Sequence, residues 1–215
     1  MFITLEGGEG CGKTSQVLLL KKFFNSIEVP YTVIRDPGSD PIAEDIRKIL
    51  VCGSPEKMDT TTEFLLYLAA RRQIIVNAIR PELAKGKVVI CDRFFDSTCV
   101  YQCYCKGISM LDFHRGNSII GNIEPNVTFL LDVIPKIGLE RSKRVNKETD
   151  NKEDRWESMD LSFHEKVRDG YIELANKNTK RIKVIDTNKY DKHMVSAIII
   201  DYLKKFIPEV VIYNQ

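Results

Sequence analysis

Gly7-Gly-Glu-Gly-Cys-Gly-Lys-Thr14 is the stretch of this sequence that decides the fold. It follows a short apolar run, Met1–Leu5, and precedes a segment with helical spacing, Ser15–Phe24. Strand, glycine-rich loop and helix in this order form the setting of a phosphate-binding P-loop. Glycines let the backbone curl so that its N–H groups point at phosphate oxygens, and the helix adds its positive N-terminal end. The stretch therefore predicts a site for a nucleoside triphosphate.

Two side chains of this loop have expected roles beyond the backbone cradle. Lys13 can reach the β- and γ-phosphates, and the Thr14 hydroxyl can hold Mg²⁺. An ordinary glycine-rich turn is the alternative, but the complete pattern with both flanks favours a P-loop. The predicted triphosphate-binding residues are Gly7, Gly8, Glu9, Gly10, Cys11, Gly12, Lys13, Thr14 and Ser15.

Composition narrows the class of protein. The 215 residues are 43% hydrophobic and 29% charged, which is typical of a globular chain rather than a disordered one. The formal net charge of +2 gives no global field for nucleic acid or an acidic membrane, and the apolar runs are too short to span a bilayer. No basic n-region or cleavage site precedes the first strand, so we expect no signal peptide and a cytoplasmic location.

Six cysteines are expected to be free thiols in a reducing compartment. Cys99, Cys103 and Cys105 lie close together in sequence and raise the alternative of a zinc site. Structural zinc needs four ligands, and no second Cys or His pair stands at ligand spacing nearby. We expect Cys11, inside the P-loop, to be a small filler.

Alternating strand and helix patterns predict the fold class. The expected strands are Met1–Leu5, Tyr31–Ile34, Lys87–Cys91, Val127–Leu131 and Arg181–Ile185. The expected helices are Ser15–Ser26, Ile42–Val51, Thr62–Lys85, Ser109–Ile119, Pro135–Val145, Leu161–Asn176 and Lys192–Phe206. This alternation predicts one α/β domain over residues 1–215: a three-layer P-loop fold with a five-stranded parallel sheet between helices.

Polar residues follow several of these strands. In such sheets ligands bind beyond the carboxyl ends of the strands, so the P-loop, Arg35, Asp92-Arg93 and Asp132 are expected to converge on one cleft. Asp92 can hold Mg²⁺ through water, and Arg93 can grip a second phosphate with two hydrogen bonds. The alternative is that this pair only caps the next helix.

Two side-chain pairs at helical spacing suggest a second pocket. Tyr67 and Arg71 are four residues apart, so they share a helix face on which the ring can stack a base and the guanidinium can bind its carbonyl edge. Ser97 and Tyr101 have the same spacing in a helix after Arg93. The alternative for the first pair is a core tyrosine beside a surface cation.

A charged segment at about 141–157 is nearly free of apolar residues. In a P-loop protein we expect it to be a mobile lid whose cations close over the phosphates. A solvated helix end and loop is the alternative.

Taken together, these segments resemble the bacterial type of thymidylate kinase, in the P-loop nucleoside monophosphate kinase family. The resemblance covers essentially the whole chain and rests on Gly7–Thr14, Arg35–Gly38, Leu65–Arg71, Asp92–Ser97, Tyr101-Gln102 and Asp154–Glu157. It implies transfer of the γ-phosphoryl group of ATP to dTMP with Mg²⁺, giving ADP and dTDP for dTTP synthesis. It also implies small-molecule substrates only, without nucleic acid or membrane, and a homodimer packed through helices.

The resemblance also assigns residues by position. It implies that Arg47 and Arg93 hold the dTMP phosphate, Glu9 lies near the sugar, Tyr67 stacks on thymine, Arg71 reads its carbonyl and Tyr101 disfavours a 2′-hydroxyl. The implied dTMP-binding set is Asp36, Pro37, Arg47, Tyr67, Arg71, Arg93, Ser97, Tyr101 and Gln102, and the implied metal ligands are Thr14 and Asp92. Lys13, Glu9, Arg93, Arg141 and Arg155 are the implied catalytic residues.

The P-loop itself contains no arginine, and family members of this kind place the transition-state cation in the lid. Arg141, Lys143, Arg144 and Arg155 are the candidates. The sequence departs from the family pattern at Asp36, Ser39, Tyr67 and Lys143, and at Cys103–Lys106, where glycines are usual.

Three alternative functions remain open. Asn188-Lys-Tyr-Asp191 fits the guanine-reading pattern of a GTPase switch, although no Asp-x-x-Gly follows Val88–Cys91. A kinase for another nucleotide is the second, because dUMP shares the O4 carbonyl and one methyl gives only about 10–200-fold discrimination. A non-catalytic nucleotide-binding module is the third.

Overall fold

A parallel five-stranded sheet forms the centre of the computed structural model, which describes residues 1–54, 56–149 and 155–207. The strands are β1 (Phe2–Glu6), β2 (Tyr31–Arg35), β3 (Val88–Asp92), β4 (Val127–Asp132) and β5 (Ile182–Asp186). Their order across the sheet is β2-β3-β1-β4-β5, and every neighbouring pair is parallel. The predicted five-stranded parallel sheet is confirmed.

Helices connect these strands on both faces of the sheet. They are α1 (Lys13–Ser26), α2 (Pro41–Val51), α3 (Thr60–Ile74), α4 (Arg80–Ala84), α5 (Phe95–Thr98), α6 (Met110–Ile120), α7 (Pro135–Thr149), α8 (Leu161–Lys177) and α9 (Lys192–Leu203). Most of these bounds lie within a few residues of the predicted ones. The expected lid segment, about 141–157, falls partly outside the described residues, at 150–154.

Successive side chains along each strand point to opposite faces of the sheet. In β1, Ile3 and Leu5 pack with the buried residues of α1 and α9, whereas Phe2 packs with those of α3. Because both sets are apolar, the strands are buried on both sides, as a parallel sheet requires. Thr4 and Glu6 share the face of Phe2, so two polar groups enter the interior next to the apolar core.

Two helical segments widen into π-helix. The stretch predicted as one helix over Thr62–Lys85 consists of α3, a π-helical turn at Ile75–Ile79 and α4. After α5 the helix continues as a π-helix over Cys99–Cys105. Such turns often occur at functional sites, and the second one carries Tyr101 and Gln102.

The P-loop depends on a close contact between two backbones. Gly10 has φ 65°, and a Cβ there would lie 1.9 Å from the carbonyl oxygen of Gly138 in α7. A Cβ on Gly138 would lie 2.3 Å from the carbonyl oxygen of Glu9. Glycine on both sides therefore lets the first turn of α7 support the loop from behind.

We expect Gly138→Ala to destabilise the protein by about 1–3 kcal/mol, because the added methyl must push α7 away from the P-loop. Equilibrium denaturation measures this change. Lys136→Ala, an exposed change in the same helix, is the control and should alter the free energy of unfolding by no more than about 0.5 kcal/mol. A Gly138→Ala variant at least as stable as the wild type would contradict the packing role.

Candidate active site

One cleft of about 890 Å³ lies at the carboxyl ends of the strands. Its lining includes all the predicted P-loop residues from Glu9 to Ser15 and all the predicted members of the second pocket. Those members are Asp36, Pro37, Arg47, Tyr67, Arg71, Arg93, Ser97, Tyr101 and Gln102. A volume of this size is typical of small-molecule sites.

At the P-loop, the Lys13 ammonium folds back onto the loop. Its Nζ donates to the carbonyl oxygens of Gly7 and Gly8, both at 3.1 Å. Gly12, with φ 102°, precedes the first residue of α1, and the Thr14 and Ser15 side chains are exposed in the cleft. Of the predicted triphosphate-binding residues, Glu9–Ser15 line this cleft, whereas Gly7 and Gly8 line a smaller cavity.

Arg93 lies between the P-loop and the second pocket. Its Nη1 donates to the Gly7 carbonyl oxygen at 2.9 Å, and its Nη2 donates to the Glu9 carboxylate at 2.7 Å. The Tyr101 hydroxyl donates to the same carboxylate at 3.2 Å. Burial acts to raise the pKa of Glu9, but Arg93 and Lys13 hold the pKa below its ordinary value. Arg93 adopts φ 66°, which is uncommon for a residue with a side chain and often marks a functional site.

Behind Arg93 lies a buried carboxylate that the sequence interpretation missed, Glu6. It accepts from the Ser97 hydroxyl at 2.6 Å, the Tyr171 hydroxyl at 3.0 Å and the backbone N–H of Phe94 at 2.8 Å. Burial, followed by the negative charge of Asp96, raises the pKa of Glu6 to about 7. Glu6 is the last residue of the apolar first strand, which gave it no separate motif.

In the second pocket, Arg71 is buried and held rigidly. Its Nε donates to Asp36 at 2.5 Å and its Nη2 to the Thr98 hydroxyl at 2.7 Å. Within the described part of the chain, Nη1 of Arg71 and Oδ1 of Asp36 have no hydrogen-bond partner although both are buried. Because Arg71 lines the cleft, its unused N–H is a donor for a ligand.

Tyr67 lines the same pocket, four residues before Arg71 on α3. Burial raises the pKa of its hydroxyl above the ordinary value, and the nearby Trp156 offsets part of that rise. Trp156 also packs edge-on against Tyr101, with ring centroids 5.1 Å apart. Trp156 lies near the end of the charged segment, and no periodic pattern indicated that it would reach the pocket.

Two further arginines that line the cleft also bind groups of the protein. Arg47 donates from Nη1 to the Pro37 carbonyl oxygen at 2.9 Å. Arg35, expected to converge on the cleft, lines it and also pairs with Glu44 at 3.1 Å. Asp92 lines the cleft beside the P-loop.

Arg155 occupies a different place from the one expected. Its side chain is fully buried, with Nη2 paired to the Glu63 carboxylate and Nη1 donating to the Leu50 carbonyl oxygen at 2.8 Å. The expectation that Arg155 belongs to a surface lid is therefore wrong for this structure, because a buried carboxylate binds the guanidinium. Arg141 is exposed in the cleft and donates to the Thr187 carbonyl oxygen at 3.3 Å, whereas Lys143 and Arg144 are exposed on α7.

Two further expectations are corrected by the geometry. Asp132 does not face the main cleft; Arg168 binds its carboxylate with two hydrogen bonds of 2.7 and 2.8 Å beside a smaller cavity. In the Asn-Lys-x-Asp stretch, Asp191 caps the N-terminus of α9 and Asn188 accepts from the Ile134 N–H. These two side chains therefore have structural partners, and Asp191 marks the start of a helix.

A P-loop at the end of the central strand and a second, cation-lined pocket in the same cleft define the class as a P-loop nucleoside monophosphate kinase. Residues 5–198 match the thymidylate kinase family. The thymidylate kinase of Geobacter sulfurreducens is 44% identical over 189 residues, covering 87% of this chain and 89% of the relative. That of Marinomonas sp. is 40% identical over 199 residues, covering 92% and 91%.

Solved structures agree with this assignment. The crystal structure of thymidylate kinase from Ehrlichia chaffeensis aligns with a TM-score of 0.74 and 32% identity, covering 95% of this chain and 98% of that one. The chain belongs to the thymidylate kinase family and is a nucleoside monophosphate kinase that converts dTMP to dTDP with ATP as donor. In the described part of the chain, none of the helices combines the length and apolar character needed to cross a membrane.

The raised pKa of Glu6 predicts a pH-dependent stability. The folded state keeps a proton on Glu6 up to about pH 7, whereas the unfolded state releases it near pH 4.5. The contribution of Glu6 to the free energy of unfolding is therefore complete below pH 4.5 and is lost as the pH rises through about 7. Glu6→Gln does not titrate there and retains hydrogen-bonding groups. Compared by denaturation from pH 5 to pH 8, the variant should gain on the order of 2–3 kcal/mol relative to the wild type. A stability difference independent of pH would refute this assignment.

Proposed function

We propose that the acceptor dTMP lies between the P-loop and α3, with its base at Tyr67 and Arg71. The observation that carries this proposal is the buried guanidinium of Arg71, which lines the cleft with Nη1 unpartnered among the described residues. A desolvated donor of this kind needs an acceptor from the ligand, and the O4 carbonyl of thymine supplies one. The Tyr67 ring supplies a face for stacking.

The acceptor phosphate then meets Arg93 and Arg47. Arg93 already contacts the P-loop through the Gly7 carbonyl oxygen, so a phosphate bound there would lie close to the triphosphate. Glu9 and Tyr101 share a hydrogen bond beside this guanidinium and would border the sugar. Asp36 and Pro37 contribute by holding Arg71 and Arg47 in place.

On the donor side, the backbone N–H groups of Gly7–Ser15 and the N-terminus of α1 would bind the phosphates of ATP. Lys13 would exchange its contacts with the Gly7 and Gly8 carbonyl oxygens for phosphate oxygens. This movement places its charge on the group being transferred, where it stabilises the transition state.

The residues at this end of the cleft fit Mg²⁺. The hydroxyl of Thr14 and the carboxylate of Asp92 both line the cleft, and oxygen ligands are those that Mg²⁺ prefers. Few protein ligands suffice, because Mg²⁺ keeps several waters and shares phosphate oxygens. When bound, the ion neutralises charge on the phosphates.

Within one kinase domain over residues 1–215, we keep a lid in the segment of about 141–157, of which residues 150–154 lie outside the described ranges and Arg155 does not move with the lid. Arg141 is the best-placed transition-state cation, since it lies in the cleft wall, with Lys143 and Arg144 as further candidates on the same helix. Arg155 serves instead as an anchor through Glu63.

We also propose a cytoplasmic homodimer that associates through helices on the face of α3 and α6. Leu65, Leu111 and Ile119 are 57%, 59% and 82% exposed there. Large apolar side chains that are exposed on helices in contact with each other are a feature of subunit interfaces. Neither nucleic acid nor a membrane is needed for the proposed reaction.

The substrate assignment is tested by a coupled ADP-release assay with ATP and Mg²⁺, offering dTMP, dUMP, dCMP, dGMP, UMP and thymidine in parallel. We expect dTMP to give the highest kcat/KM. Preference for another nucleotide would overturn the base-pocket assignment, whereas turnover with none, together with a preference for GTP over ATP, would favour the switch alternative.

Arg93→Ala should lower kcat/KM for dTMP by about 100-fold or more, because charge-assisted hydrogen bonds to the acceptor phosphate are lost. The KM for ATP should change far less. Arg93→Lys keeps the charge but loses the two-pronged geometry, so it should recover only part of the activity. Unchanged efficiency toward dTMP in Arg93→Ala would refute the assignment.

Arg141 and Arg155 should fail in different ways. Arg141→Ala should fold normally and lose mainly kcat, by about 10-fold or more if the guanidinium stabilises the transition state. Arg155→Met leaves Glu63 without one buried partner, so it should lose about 3–5 kcal/mol of stability. Steady-state kinetics and denaturation of both variants separate these outcomes, and a fully stable Arg155→Met with reduced kcat would reverse the two roles.

A further inference from the structure

Glu63, in the first turn of α3, is a carboxylate beside the base pocket that accepts hydrogen bonds from three side chains. Its side chain is fully buried. Lys106 donates to both carboxylate oxygens at 3.0 Å, Gln102 donates from Nε2 at 2.9 Å, and Arg155 donates from Nη2. A carboxylate with this many donors is rigidly held.

These contacts determine which way the Gln102 amide faces. Lysine and arginine carry only donors, so both Glu63 oxygens act as acceptors. Gln102 must therefore present its NH₂ group to Glu63. Its carbonyl oxygen, Oε1, accepts no hydrogen bond from any residue in the described ranges, and the side chain lines the cleft. The amide thus offers an acceptor for a ligand.

Arg71 supplies the complementary group. Its Nη1 is a donor without a partner among the described residues, and Arg71 lines the same cleft. One donor and one acceptor match a base that carries a carbonyl oxygen next to a ring N–H, as thymine and uracil do at O4 and N3. Cytosine presents the reverse pattern, an amino group beside an unprotonated ring nitrogen.

We propose that Glu63 is a positioning residue that sets base specificity by fixing the orientation of the Gln102 amide. The inference deepens the proposed function and depends on it. Glu63, Tyr67 and Arg71 follow one another at intervals of four on α3, so one helix face carries the orienting carboxylate, the stacking ring and the donor. Lys106 and Arg155 supply the positive charge that the buried carboxylate needs.

Glu63→Gln tests this role. Arg155 donates to Oε2 of Glu63, so it will hold the carbonyl oxygen of the substituted side chain there. The NH₂ group of that side chain then faces Gln102, which must turn its own carbonyl oxygen inward and its NH₂ group toward the base. The ratio of kcat/KM for dTMP to that for dCMP should fall by about 10- to 100-fold, the effect of one mismatched buried hydrogen bond. The KM for ATP should remain within about twofold, because one ligand pocket changes and the other does not.

Lys106→Met is the matched control. It removes a neighbour of Glu63 but leaves the Glu63–Gln102 hydrogen bond, so the dTMP to dCMP ratio should stay within about threefold of the wild type whatever happens to stability. The double variant Glu63→Gln/Lys106→Met removes one charge of each sign. It is the decisive protein if the single variant fails to fold, and it should show the same fall in the ratio.

The possible results are distinct. A fall in the ratio in folded Glu63→Gln or the double variant, but not in Lys106→Met, supports the positioning role. If the wild type prefers dTMP, two results would overturn the positioning role of Glu63. One is an unchanged ratio in those variants, and the other is an equal fall in Lys106→Met. If the wild type itself shows no preference for dTMP, the result contradicts the proposed base pocket rather than the role of Glu63 alone.

Discussion

The guanidinium of Arg93 is the contact on which the arrangement of the cleft depends. It joins the P-loop, through the Gly7 carbonyl oxygen and Glu9, to the helical segment after β3, through Ser97. It also reaches Tyr171 on α8. Because these groups come from widely separated parts of the chain, one side chain fixes the distance between the two halves of the site. The left-handed backbone conformation of Arg93 is part of this arrangement.

Around this contact, buried or partly buried carboxylates hold cations and hydroxyls in place. Asp36 orients Arg71, Glu9 orients Arg93, and Glu63 binds Arg155 and Lys106. A buried charge is unfavourable unless it is paired and hydrogen-bonded. The donors that line the cleft are thereby held in rigid positions, an arrangement that favours electrostatic stabilisation without reorganisation during a reaction.

The sequence predicted the fold well because its signals are local or periodic. Alternating strands and helices, together with the P-loop, were sufficient to predict a five-stranded parallel sheet and the edge at which ligands bind. Tyr67 and Arg71 were identifiable from their spacing on one helix. Glu63 lies at the same spacing and could have been found by extending that series by one helical turn. Glu6 and Trp156 had no such signal, because they reach the site through contacts between distant segments.

Arg155 shows most clearly what could not be predicted from the sequence. Its charged neighbourhood in sequence is typical of an exposed lid, and only the fold brings the buried Glu63 carboxylate to it. Asp132 is a similar case, since Arg168 on α8 binds it away from the main cleft. The sequence by itself determined the sheet, the phosphate loop and the set of side chains at the strand ends, because these follow from backbone geometry and local spacing. The tertiary structure decided which of those charges pair with each other and which face a ligand, since pairing depends on distances between residues far apart in the chain.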